Sequence, residues 1–244
     1  MLGSRVGGAA FAFSSMSSSS KVQKGALIFL HGLGDTPAGW SQLQFMLPEM
    51  KPRLKDITYV FPAAPTVAIT INGGAEMPGW FDLYDWPIGV GAKDDREGLL
   101  KAVAQIEGEV KKLGEMGVPP SKIVLGGFSQ GGSVALLAAY RRPEGEEAFA
   151  GCASLSAWLT LPDDLKVSET AKKTPLFWGH GTMDDKVLFE QQAFGAEKLQ
   201  RQGVTLTHKS YPIGHSSHPD EMAYLAEFVD KALFGEDNGP KSDL

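Results

Sequence analysis

The sequence predicts an α/β domain with a mostly parallel central sheet and helices on both faces. Three observations predict it: short runs rich in Val, Ile, Leu and Phe alternate with amphipathic segments. One of those runs leads through a glycine-flanked serine directly into an apolar helix. No apolar run approaches the roughly 18 residues that would span a bilayer.

The strands fall at 26–31, 57–61, 123–127, 149–154, 175–179 and 205–211. The helices fall at 40–47, 95–116, 130–140, 189–202 and 219–233, where apolar residues recur three and four positions apart, as do Leu99, Val103, Ile106, Val110 and Leu113. No internal repeat is visible. The stretch 62–94 has no clear periodicity, and loops of that length are uncommon unless functional.

The 244 residues fit one such domain at 24–235, and a 43% apolar content can fill its core. The segment 1–23 contains Arg5, Lys21, no acid and the run Ser17 to Ser20, which reads as a disordered extension; its Arg and Ser content also suits a targeting segment. Residues 236–244 read as a flexible tail. The balance of 23 basic against 29 acidic residues, a net charge of −6, disfavours nucleic acid and anionic membranes as partners. With Cys152 alone there is no internal disulfide and no thiolate zinc site, so a reducing compartment fits. The default localisation is cytoplasmic, with a mitochondrion or plastid as the alternative if 1–23 is a transit peptide.

The run Ile123 to Gly132, with Gly127-Phe128-Ser129-Gln130-Gly131 at its centre, reads as buried strand, sharp turn and helix. That context is what a nucleophile elbow requires. Glycines at 127, 131 and 132 leave room where neighbouring segments would meet Cβ atoms, and Ser129 falls at a helix N-terminus that favours a developing oxyanion. Outside that context the five-residue pattern is weak, and its serine would serve as an ordinary helix cap.

A serine hydroxyl needs a histidine base and a carboxylate to orient it, here in the chain order Ser, acid, His. Among the histidines after a suitable acid, His208 lies within a predicted strand. His215 lies in the loop before the last helix, where the base belongs, and His218 at that helix start suits a cap. The acid is Asp184 or Asp185, at the carboxyl end of the strand 175–179, the other aspartate serving the turn. The oxyanion donors are the backbone N–H groups of Gln130 and of Leu33, in the Gly-rich turn after the first strand. His31 in that turn is expected to shape the loop, and Cys152, inside a strand, to belong to the core.

The motifs His31-Gly32-Leu33-Gly34-Asp35, Pro78-Gly79-Trp80-Phe81-Asp82, Gly126 to Gly132, Leu155-Ser156-Ala157-Trp158-Leu159 and Gly214-His215-Ser216 resemble the acyl-protein thioesterase, lysophospholipase and carboxylesterase type 2 family. The resemblance runs from about residue 25 to residue 234. It implies an α/β-hydrolase fold without a cap domain. It also implies a Ser/Asp/His triad on Ser129, Asp184 and His215 that needs no metal or cofactor, and cleavage of acyl thioesters or esters. Asp185 and Leu188 stand where that family usually has prolines, so the acid loop departs from the family pattern. The loop bearing Leu83, Trp86 and Ile88, with Trp158, is implied to line an acyl-chain site, whereas Trp80 and Phe81 suit pinning the loop to the core.

The implied partners are an acylated protein, a lysophospholipid or a small acyl ester, with transient contact to a membrane surface and no transmembrane segment. A small-ester carboxylesterase and a non-catalytic ligand-binding module of the same fold stand as alternatives.

Overall fold

The computed structural model describes residues 24–236, so the expected extension 1–23 and all of the expected tail beyond residue 236 lie outside the described residues. Six strands form one sheet: β1 (Ala26–Leu30), β2 (Thr58–Val60), β5 (Ile123–Phe128), β6 (Gly151–Leu155), β7 (Leu176–Gly181) and β8 (Leu206–Tyr211). Their order is β2-β1-β5-β6-β7-β8, and every neighbouring pair is parallel. The central strands β1, β6 and β7 are buried along their whole length, as expected where helices cover both faces.

Side-chain alternation divides the interior into two layers. Ile28 and Leu30 of β1, Leu125 of β5 and Trp178 of β7 pack with the helices α3 (Arg96–Glu115), α4 (Gln130–Tyr140) and α5 (Glu190–Arg201). Leu27, Phe29, Val124 and Phe177 point the other way, onto α2 (Leu43–Met50) and α6 (Pro219–Phe234). Cys152 is fully buried in the first layer, and burial pushes its thiol above the ordinary range. The apolar stripe expected on α3 is seen in the burial of Leu99, Ile106, Val110 and Leu113. Asp95 caps the helix by accepting the Gly98 N–H at 3.0 Å.

Two expectations are corrected. The helix expected at 40–47 is broken in two, α1 (Pro37–Trp40) and α2, because the chain tightens into a turn at residues 41–42, where Gln44 and Phe45 N–H bond to the carbonyls of Ser41 and Gln42. The stretch 62–94 also carries structure: β3 (Thr66–Ile69) and β4 (Ala75–Pro78) pair antiparallel, around a tip where Gly73 and Gly74 adopt φ of 67° and 80°. The Asn72-Gly73-Gly74 sequence is the signal that would have found this hairpin.

Candidate active site

Ser129 is the single residue between β5 and α4, with φ 55° and ψ −125°, a conformation that costs a non-glycine residue energy. The surroundings over-determine it. The Ser129 N–H donates to the Leu155 carbonyl at 2.9 Å, and the Ser129 carbonyl accepts the Ser133 N–H at 3.0 Å. The turn is also crowded: a Cβ on Gly131 would lie 2.3 Å from the Leu30 carbonyl oxygen, and one on Gly127 2.4 Å from the Gly131 backbone. Helix α4 can therefore press against β1 only with glycine at residue 131.

Gln130 follows as the first residue of α4, and its side chain is fully engaged elsewhere. Its Oε1 accepts the Trp80 N–H at 3.0 Å and its Nε2 donates to the Phe81 carbonyl at 2.8 Å. That bracing leaves its backbone N–H at the helix start as the group of interest. Trp80 is pinned a second time, its indole donating to the His31 carbonyl at 2.7 Å. His31 itself shapes the loop. Its Nε2 accepts the Ala64 N–H at 3.1 Å, which leaves Nδ1 to donate to the Gly32 carbonyl at 2.8 Å.

On the neighbouring strand ends, His215 Nδ1 lies 2.8 Å from Asp184 Oδ2. The other oxygen of Asp184 accepts the N–H groups of Lys186 at 3.0 Å and Val187 at 2.9 Å. Burial on its own would push this carboxyl up. Hydrogen bonds from His180 and His215, the charge on His215 and the Lys186 N–H together hold it well below the usual carboxylate range. Asp185 points into solvent with 79% of its side chain exposed, 3.8 Å from Lys186 Nζ. Of the two aspartates, the structure brings only Asp184 to His215. His208 is exposed on the edge strand β8. His218 caps α6, its Nδ1 accepting the Asp220 N–H at 3.1 Å while its ring stacks on Tyr211. Glu221 completes that cap from a fully buried position, and burial pushes its carboxyl up to about 7.

Ser129 and His215 line one cavity of about 470 Å³, within the size range of small-molecule sites. The His215 ring packs on Phe128, the residue before Ser129, with centroids 4.7 Å apart. Leu33 lines the same cavity, as do all four expected substrate contacts: Leu83, Trp86, Ile88 and Trp158. Leu83, Ile88 and Trp158 are buried wall residues; Trp86 is half exposed at the rim, with the Lys186 ammonium 5.5 Å from its ring centre. Val90 and Tyr84 are not among the lining residues.

Several contributors were not anticipated. Trp40, Leu43 and Met46 supply the opposite wall, and their three-residue spacing after the Gly-rich turn was the available signal. His180, at the end of β7, touches Asp184, and no local pattern announces it. Among the described residues no group of three His, Cys, Asp or Glu could hold a metal ion, and no helix is long and apolar enough to cross a membrane.

Comparison with known proteins agrees with this architecture. Acyl-protein thioesterase 1 of Saccharomyces cerevisiae is 36% identical over 214 residues, 85% of this chain and 92% of that one. A probable carboxylesterase of Oryza sativa subsp. japonica is 34% identical over 222 residues, 89% of this chain and 81% of its own. Among solved structures, Arabidopsis thaliana SOBER1 superposes with a TM-score of 0.79 at 32% identity, covering 86% of this chain and 99% of the other. Zea mays acyl-protein thioesterase 2 superposes with a TM-score of 0.73 at 27% identity, covering 87% and 95%. Residues 12–233 match the family described as Phospholipase/Carboxylesterase, and the chain belongs to that family of α/β-hydrolases.

Proposed function

We propose that the chain hydrolyses acyl thioesters or carboxylic esters through Ser129, His215 and Asp184, by way of an acyl-enzyme. The observation that carries the reading is the pairing of buried Asp184 with His215 Nδ1, where His215 and the strained, elbow-borne Ser129 line one cavity. Because Asp184 occupies Nδ1, the Nε2 of His215 is left to accept the proton of the Ser129 hydroxyl. The serine oxygen then attacks the acyl carbonyl. Its electron pair moves onto the carbonyl oxygen, which the N–H groups of Leu33 and Gln130 stabilise. Collapse expels the thiol or alcohol, which takes the proton from His215. Water, deprotonated by the same nitrogen, releases the carboxylic acid and restores Ser129. Every step uses residues of this chain and water.

The buried wall of Leu83, Ile88 and Trp158 suits an apolar acyl chain, and the names of the thioesterase relatives favour acylated proteins as its source. The test combines a fluorophosphonate probe with an acyl series of matched thioesters and oxyesters. The wild-type protein is expected to be labelled at Ser129 and to turn over substrate, and Ser129→Ala to lose at least about 10³-fold in kcat. Full activity in Ser129→Ala sinks the reading. Turnover confined to the shortest oxyesters would make it a small-ester carboxylesterase. An unlabelled, inert wild-type protein would make it a binding module.

A further inference from the structure

His180, the next-to-last residue of β7, has no exposed surface, and its Nε2 faces two oxygens at once: the Val187 carbonyl at 2.9 Å and, at a longer distance, Asp184 Oδ2 at 3.4 Å. Both are acceptors, so Nε2 carries the ring proton. The ring Nδ1 finds no hydrogen-bond partner among the described residues, and the Phe189 ring packs edge-to-face with the imidazole, centroids 5.9 Å apart. Asp184 Oδ2 therefore lies near two imidazoles, hydrogen-bonded to His215 at 2.8 Å and 3.4 Å from His180.

The Val187 carbonyl is itself held in place. Ile88 N–H donates to the Lys186 carbonyl at 2.8 Å, and Leu188 N–H donates to the Ile88 carbonyl at 3.0 Å. A proline at residue 188 would lack that second donor. The loop bearing Asp184 and the cavity wall at Ile88 thus form one hydrogen-bonded unit, and His180 joins that unit to the carboxylate.

We propose that His180 is a positioning residue: its forked Nε2–H fixes the Asp184 oxygen that orients His215 and keeps it in register with the Val187–Ile88 wall. This rests on the triad reading above. The positive end of the His180 N–H dipole lies against the oxygen that His215 also uses, so it weakens the hold of Asp184 on a second proton at His215. Removing it leaves the carboxylate free to hold that proton more tightly. The other charged or titratable groups around the pair are Asp185 and Lys186 on the acid loop, Asp35 across the cavity, and His218 and Glu221 at the start of α6; none is altered by changing His180.

The experiment titrates ¹⁵N-labelled histidine by NMR, with His215 assigned from the His215→Ala spectrum, and records kcat and KM against pH in parallel. His180→Phe is expected to raise the midpoint of His215 by about half a unit, move the acid limb of kcat/KM to the same side, and lower kcat roughly tenfold. His180→Gln, whose amide N–H₂ reaches the Nε2 position, is expected to restore all three. His180→Asn, whose amide stops short, gives the same comparison if the phenyl ring is not accommodated. An unchanged His215 midpoint in the Phe or Asn variant overturns the proposal, and so does a Gln variant that behaves like Phe. Because the titration does not depend on turnover, failure of the triad reading appears separately, as activity surviving in Ser129→Ala.

Discussion

The Ser129 turn and the wall that includes Ile88, Lys186 and Val187 meet at one cavity, yet they are built by opposite means. Around Ser129 the chain is fixed by steric crowding, with β5 and α4 pressed so closely on β1 that glycine alone fits at residue 131. Across the cavity, residues 83–88 and 184–188 are held by hydrogen bonds between loops distant in sequence, and Trp86 at their rim is half exposed. One cavity can thus combine a serine turn fixed by crowding with a wall held by hydrogen bonds between loops.

The sharpest way to break this contrast is at Gly131. A methyl group there meets backbone oxygens of Leu30 and His31, which no side-chain rotation can clear. Gly131→Ala is therefore expected to lose about 4 kcal/mol or more, seen as a fall in the denaturant midpoint or as loss of folded protein. Near-normal stability would show that crowding does not set the turn.

On the other wall, changes should cost activity before they cost the fold. Asp184→Asn is expected to lower kcat by about 10⁴-fold while the exposed Asp185→Asn stays within about twofold, both read by steady-state kinetics on one acyl substrate. Comparable losses in the two would redistribute the acid role.

The smallest effects belong to the cavity lining itself. Ile88→Ala, at a buried position, should cost about 2–4 kcal/mol in unfolding free energy. Trp86→Ala should stay within about 0.5 kcal/mol and instead raise KM roughly fivefold for long apolar acyl chains. If Trp86→Ala shifts KM equally for the shortest acyl groups, the rim does not read chain length.

The same contrast explains what could be read from the sequence. Steric necessity leaves a local signature: Gly127, Gly131 and Gly132 sit at fixed offsets from Ser129 between an apolar strand and an apolar helix, and the parallel sheet follows from the same alternation. Hydrogen bonding between distant loops leaves none. Nothing in the residues around His180 announces that its ring reaches Asp184, and nothing near Leu188 announces that its N–H finds the Ile88 carbonyl. The hairpin β3–β4 and the wall formed by Trp40, Leu43 and Met46 stand between these cases, since a turn dipeptide and a three-residue spacing were there to be read.

The order of strands also dates the site within the life of the molecule. β5, which presents Ser129, is central, whereas β8, which leads to His215, is an edge strand, followed among the described residues by α6. A chain emerging from the ribosome displays Ser129 more than eighty residues before His215. Under the proposed triad, Ser129 gains its base only when β8 has joined β7 and brought His215 to the cavity, so hydrolytic competence is expected to arrive with that last strand.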